Sequence, residues 1–301
     1  MSVSDTKRRD LERLLELHNQ TKLHLAMQKA RYGLFVPPEV EHGLQEVSEQ
    51  IARIEKELAG IVPDDAIHID LWTRAGANPH TPGAKQLDWS SYFASDPPSA
   101  ELWSQELMPA LHALLKLCGE DPSCTLAVHP KAHISAAIAF GYTFPTTSPY
   151  EIWVEQKLNE WWRSKLDVKA SAPLVAEEVI VDTERSEISV ELSIGWDIRH
   201  DVQDTITALS LPIGRRIQLH LAPSHKTVTD AEHAKAIAEQ VRAAIVAART
   251  RSRRRPIHLF AAVPVGLAVL IGAHLNACGL IQCYEHRKDQ GDYVPACLLR
   301  G

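Results

Sequence analysis

The segment His129-Pro130-Lys131-Ala132-His133-Ile134-Ser135 follows the apolar run Thr125–Val128 and precedes a stretch of small apolar residues. It reads as the end of a strand, a polar loop and the first turn of a helix. Lys131, His133 and Ser135 would stand beside backbone N–H groups that have no partner within the helix, an arrangement suited to an anion. His129 and His133 also suggest a metal pair, but no third ligand stands at usable spacing. Similar loops recur along the chain. Trp72-Thr73-Arg74-Ala75-Gly76 ends the alternating run Ala66–Trp72, where Arg74 either meets an anionic group or is a surface arginine in a tight turn. Gly195-Trp196-Asp197-Ile198-Arg199 pairs an aromatic ring with a second arginine, although a Trp after a strand also serves as core. Pro223-Ser224-His225-Lys226-Thr227 puts Ser224 and Lys226 after another strand, Ile217–Ala222, and Val263-Pro264-Val265 puts a proline where a helix begins. Covalent chemistry has no motif here: GxGxxG, the phosphate-loop lysine, HExxH and GxSxG are all absent.

The elements that must carry these loops are clearest near the C-terminus. Ile257–Ala262 is a buried strand, Val265 to about Asn276 a helix stopped by Cys278-Gly279, and Leu280–Tyr284 a neighbouring strand. This β-α-β unit is the most apolar part of the chain. His258, Pro264, His274 and Asn276 interrupt it, and Leu259–Ala273 is shorter than the roughly 18–20 residues a bilayer requires, which argues against a membrane span. Residues 125–156 follow the same order. One gap-free alignment sets Val128 on Leu259, Ile134 on Val265, Ala137 on Ala268, Ile138 on Val269, Gly141 on Gly272 and Trp153 on Tyr284. A unit used twice implies two Rossmann-like halves around a pseudo-twofold axis, with both helix starts near one cleft.

Between these landmarks, Glu177–Asp182 and Glu187–Ile194 read as a hairpin or two adjacent strands, and Asp230–Ala248 as a helix. Asn78–Pro98 reads as a long loop with Trp89 and Tyr92 as stacking rings or anchors, and Ser99–Leu117 as a helix. The basic run Arg249–Arg255 lies between a helix end and a strand and reads as a solvated face. Residues 4–60 differ from the rest. Leu11, Leu14, Leu15, Leu17, Leu23, Leu25 and Met27 form one helical pattern to about Tyr32 with Ser4 and Asp5 as caps, Gly33 and Pro37-Pro38 end it, and Val40–Leu58 forms a second. The expected product is a helical hairpin that packs on the following domain, dimerises, or docks a separate protein.

With 301 residues, 45% hydrophobic and 23% charged, the chain has the composition of an ordinary globular protein with one large core and a small appendage. A net charge of −6 argues against a general DNA or RNA coat. The five cysteines, Cys118, Cys124, Cys278, Cys283 and Cys297, have neither CxxC spacing nor an even count, so a disulfide framework is not expected. The polar opening MSVSDTKRRD lacks a secretory pattern, and a cytoplasmic location is expected.

The segments IHLFAAVPVGLAVLIGAHLNACGLIQCYE and YVPACLL, supported by HPKAHISAAIAFGYTF and VELSIGWDIRHDV, resemble the SAVED domain, a fused double form of the CARF sensor fold found in bacterial antiviral systems of the CBASS and type III CRISPR kinds. The resemblance covers about residues 66–301. It implies an α/β fold of two fused CARF-like halves, about 66–166 and 175–301, behind a hairpin over 1–62. It implies a cyclic oligonucleotide ligand, a cyclic oligoadenylate, bound between the halves with no cofactor or metal. The ligand-facing set would be Trp72, Thr73, Arg74, Lys131, His133, Ser135, Trp196, Asp197, Arg199, Ser224, Lys226, Pro264, Val265 and Tyr284. Binding would drive head-to-tail assembly or release the hairpin to a separate effector protein, with no membrane and no DNA or RNA polymer as partner. The effector modules usually fused to such domains find no room in this length. Two other readings stand beside this one: a ring nuclease that cleaves its own activator, and a structural subunit without ligand.

Overall fold

The computed structural model describes residues 3–33, 35–58, 60–76, 81–119, 124–156, 160–166, 174–222, 227–251 and 256–300. The chain divides into two units, Met1–Asp64 and Asp65–Gly301. In the first, helices α1 (Val3–Tyr32) and α2 (Pro38–Leu58) pack antiparallel. Gly33, at φ +62°, supplies the left-handed residue that ends α1, and Pro38 occupies the first turn of α2, where its missing N–H costs nothing. Val40, Ile51 and Ile54 form the buried stripe of α2, and Lys7–Glu57 (2.7 Å) and Lys29–Glu41 (3.1 Å) tie the helices together. On α1, Leu14, Leu17, Leu23 and Met27 remain exposed.

The second unit holds strands β1 (Ile67–Trp72), β2 (Lys85–Asp88), β3 (Thr125–Lys131), β4 (Glu151–Glu155) and β5 (Trp161–Arg163) in one sheet ordered β2-β1-β3-β4-β5. Strands β6 (Leu174–Ile180), β7 (Glu187–Ser193), β8 (Ile213–Leu221), β9 (Ile257–Ala262), β10 (Leu280–Arg287) and β11 (Asp292–Arg300) form the other, ordered β11-β10-β9-β7-β8-β6. Read from the middle, the two sheets match: β1, β3 and β4 run parallel in one as β7, β9 and β10 do in the other, β2 and β8 flank β1 and β7 in parallel, and β5 and β11 return antiparallel to β4 and β10. The extra strand β6 pairs antiparallel to β8.

Helices α5 (Ile134–Thr143) and α8 (Val265–His274) are apolar on nearly every face and pack on each other. A Cβ at Gly141 would collide with the Val269 carbonyl oxygen, and one at Gly272 would collide with the Ile138 carbonyl oxygen. Because the sequence alignment sets Gly141 on Gly272 and Ile138 on Val269, this contact is reciprocal, as a pseudo-twofold axis through the helix pair demands. One core of Leu, Ile, Val, Ala and Phe side chains then unites both sheets. The remaining helices are α3 (Ala100–Leu102), which Ser99 caps by accepting from Leu102 N–H, a π turn over Trp103–Leu107, α4 (Met108–Cys118), α6 (Arg199–Ala208) and α7 (Ala231–Arg251).

Three expectations need correction. Glu177–Asp182 and Glu187–Ile194 are not adjacent, because β8 lies between β6 and β7. A crossover through α6 inserts the later strand, and nothing local in the sequence encodes that order. The loop expected over Asn78–Pro98 contains β2, a four-residue edge strand paired parallel to β1. The loop after Ile194 continues into α6, which covers a second aromatic core of Phe260, Tyr284 and Tyr293. Finally, the gap-free repeat slips by two residues in its last strand. Val154 faces Val128, whereas Cys283 faces Leu259, so Glu155 corresponds to Tyr284 and Gln156 to Glu285. The connection from helix to strand is shorter in the second half, residues 275–279 against 144–150, which absorbs the difference.

Candidate functional site

Parallel strands end together, so the loops after β1, β3, β7 and β9 gather at the carboxyl edges of the two sheets. The halves build this edge with the same bonds. Thr73 and Arg74 N–H donate to the Lys131 carbonyl at 3.1 and 3.2 Å, and Ile194 and Gly195 N–H donate to the Ala262 carbonyl at 3.0 and 2.6 Å. Gly195 allows that approach, since a Cβ there would lie 3.3 Å from the same oxygen.

At the start of α5, Thr73 is buried and His133 half-buried, stacked on Phe93 with ring centroids 4.6 Å apart. The His133 backbone N–H donates to Thr73 Oγ1 at 2.7 Å, and the same oxygen lies 2.7 Å from His133 Nδ1. All three groups are satisfied when the hydroxyl gives its proton to Nδ1, which puts the ring proton on Nε2. Burial, reinforced by the charge of Arg74, pushes the imidazole down to about 4, so at neutral pH His133 presents an uncharged donor. Ser135 N–H, in the first turn of α5, donates at 2.8 Å to the buried carboxylate of Glu285 on β10. Burial raises the Glu285 carboxyl, while its bonds to Ser135 and the charge of Arg74 oppose the rise.

At the matching start of α8, Pro264 precedes the helix and Val265 is its first residue. The side chain that meets this end is Gln156, which lies where a Cβ on Gly266 would go. Gln156 also lines a cavity of about 320 Å³ with Asp70, Trp72, Thr81, His129, Pro130, Lys131 and Glu155. Here Lys131 Nζ stands 4.3 Å over the Trp72 ring, and His129 bridges His68 Nδ1 (3.0 Å) and Glu155 (2.6 Å). A second cavity, about 370 Å³, opens at the ends of β7 and β8 and is lined by Glu177, Ser193, Ile194, Gly195, Trp196, Asp197, Arg199, His220 and Leu221. Trp196 is half exposed in it. The Arg199 guanidinium holds Asp197 at 2.9 and 3.0 Å and pulls its carboxyl down to about 2.

The structure therefore distributes the sequence-derived residues over three places. Thr73, Arg74, His133 and Ser135 meet at α5, Trp72 and Lys131 line the first cavity, and Trp196, Asp197 and Arg199 line the second. Tyr284 lies apart, buried on Phe260 with its hydroxyl 2.7 Å from His258 Nδ1. Ser224 and Lys226 lie outside the described residues. Trp89 packs edge-on to Trp103 in the core, and Tyr92 bonds Glu106 at 2.6 Å. Sequence reading missed Gln156 and Glu285. The only local signal for Glu285 is a carboxylate amid the apolar run of β10, and its partner stands 150 positions away.

A family model described as the SMODS-associated and fused to various effectors sensor domain, SAVED, matches residues 111–299. CD-NTase-associated protein 4 of an Acinetobacter species is 24% identical over 176 residues, 58% of this chain and 36% of the relative. The Acinetobacter baumannii Cap4 SAVED/CARF-domain containing receptor, solved with the cyclic trinucleotide 3′3′3′-cAAA, shares 20% identity at a TM-score of 0.65 over 87% of this chain and 59% of that one. The Moraxella osloensis Cap4 receptor shares 18% at 0.59, over 87% and 57%. The chain thus spans little more than a third of the curated relative and under two thirds of the solved ones. Among the described residues no helix is long and apolar enough to cross a membrane.

Proposed function

The chain belongs to the SAVED family of sensor domains, and from that premise we propose that it binds a cyclic oligoadenylate at the carboxyl edges of its two halves. The observation that supports this reading is the repeated edge itself: two loops tied by equivalent hydrogen bonds to Lys131 and Ala262, each beside an aromatic ring and a cation, suit a ligand that is itself a repeat of ring and phosphate. The A. baumannii receptor solved with cyclic trinucleotides lends the ligand class. Trp196 offers a face for a base, Trp72 lies buried beneath Lys131, Lys131 and Arg74 offer charge for phosphates, and His133 offers a neutral donor. In this reading occupancy promotes assembly of copies of the chain and engages an effector protein through the hairpin.

Thermal melting against cyclic di-, tri-, tetra- and hexanucleotides tests this. Ligand at a hundred times its dissociation constant stabilises by about 2.7 kcal/mol. One ring size is expected to raise the melting temperature, and Lys131→Glu, folded by circular dichroism, to lose that shift. A flat panel for the wild-type protein sinks the proposal. Mass spectrometry of the recovered ligand decides whether it leaves intact or as linear products.

A further inference from the structure

The pseudo-twofold arrangement sends one side chain of each half, Gln156 just after β4 and Glu285 within β10, across to the other half's helix. Glu285 of the second half meets the first turn of α5 at Ser135, and Gln156 of the first half meets the first turn of α8 at Gly266. The register of β4 and β10 makes these two residues equivalents. Their chemistry is not equivalent. Glu285 is 3% exposed and accepts from Ser135 N–H, so a carboxylate of the protein already holds the donor that a helix start would offer to an anion. Gln156 is isosteric and uncharged.

We propose that Glu285 is a built-in counter-anion that closes the α5 start to phosphate and sets the affinity of the site for polyanions, leaving the two halves electrically unequal toward a near-symmetric ring. This rests on the binding function proposed above. Three observations carry it: the inter-half bond at 2.8 Å, the burial of the carboxylate, and the neutral amide at the matching position. Glu285 does not touch the ligand in this account. It acts by charge, over a distance of about one Debye length at 0.1 M salt, and by occupying the helix start, and is a positioning and specificity residue.

The test is a swap, read as the dissociation constant for 3′3′3′-cyclic triadenylate. Glu285→Gln keeps an acceptor for Ser135 N–H and removes the charge, and is expected to bind about tenfold tighter, the effect of one charge roughly 10 Å away at an effective dielectric near 20. Gln156→Glu adds a carboxylate at the matching helix start and is expected to bind correspondingly weaker. The double exchange should return near the wild-type value. Raising the salt should shrink both differences, which a purely structural role would not do. Wild-type binding with unmoved constants in both variants overturns this inference and leaves the binding function standing. Absence of binding by all of the proteins to every ring of the melting panel overturns both. If Glu285→Gln fails to fold, Gln156→Glu decides by itself.

Discussion

Thr73 and His133 show how one pair of side chains turns a titratable ring into a neutral donor. The hydroxyl ties the imidazole to its own backbone, Phe93 covers one face, and burial with the Arg74 charge lowers its affinity for protons to about 4. An unfolded histidine takes a proton near 6.5. Between those values the unfolded chain binds a proton that the folded chain does not, so stability falls as pH drops from 6.5 and levels off below about 4. Burial places His274 in the same window, also at about 4. Urea unfolding at pH 7 and pH 5 should show the loss, and His133→Gln or His274→Gln should each remove part of it. A slope unchanged in both variants would assign the acid sensitivity elsewhere. The Asp197–Arg199 pair acts in the same sense in a lower window: its carboxyl is pulled down to about 2, so it costs stability only as pH falls through the carboxylate range and contributes no slope near neutrality.

At the scale of elements, α5 and α8 join the halves through two glycines, each lying on the carbonyl of the other helix. Gly141→Ala and Gly272→Ala each force a Cβ into backbone that has no room to retreat. Each is expected to destabilise by about 2–3 kcal/mol, the scale of overpacking in a dense core. The pseudo-symmetry makes the two losses similar, and urea midpoints of the two variants check this. A large effect in one and none in the other would mean that the helices relax unequally. The hairpin presents a different case, with Leu14, Leu17, Leu23 and Met27 exposed on α1. If the hairpin docks an effector, Leu17→Glu with Met27→Glu should keep the ligand-induced melting shift and lose effector activation in a reconstituted assay. Retained activation would move the docking surface elsewhere.

For the whole molecule, the second unit is built of two fused βαβ halves whose loops gather at the carboxyl edges of their two sheets, and the charge along those edges is uneven. Lys131 and Arg74 bring cations, Arg199 is neutralised by Asp197, and Glu285 supplies a buried carboxylate. If ligand occupancy assembles copies of the chain, light scattering should show the mass rising with the ring size that stabilises the fold in melting. Stabilisation without a mass increase would leave a sensor that acts as a monomer.

By itself the sequence determined the two βαβ units, the hairpin, the glycines at 141 and 272 and the family, because each depends on short-range periodicity or on a pattern repeated within the chain. It also placed Trp72, Thr73, Arg74, Lys131, His133 and Trp196 at strand ends and in the loops that follow them, since a polar loop after an apolar strand is a local signal. Only the tertiary structure decided that β8 separates β6 from β7, that the last strand is slipped by two residues, and that Tyr284 is core. Strand order and register follow from crossovers and side-chain packing between distant segments, and no window of sequence contains both partners. Glu285 and Ser135 are the clearest instance: a carboxylate meets a helix start 150 positions away, and the sheet register alone brings them together.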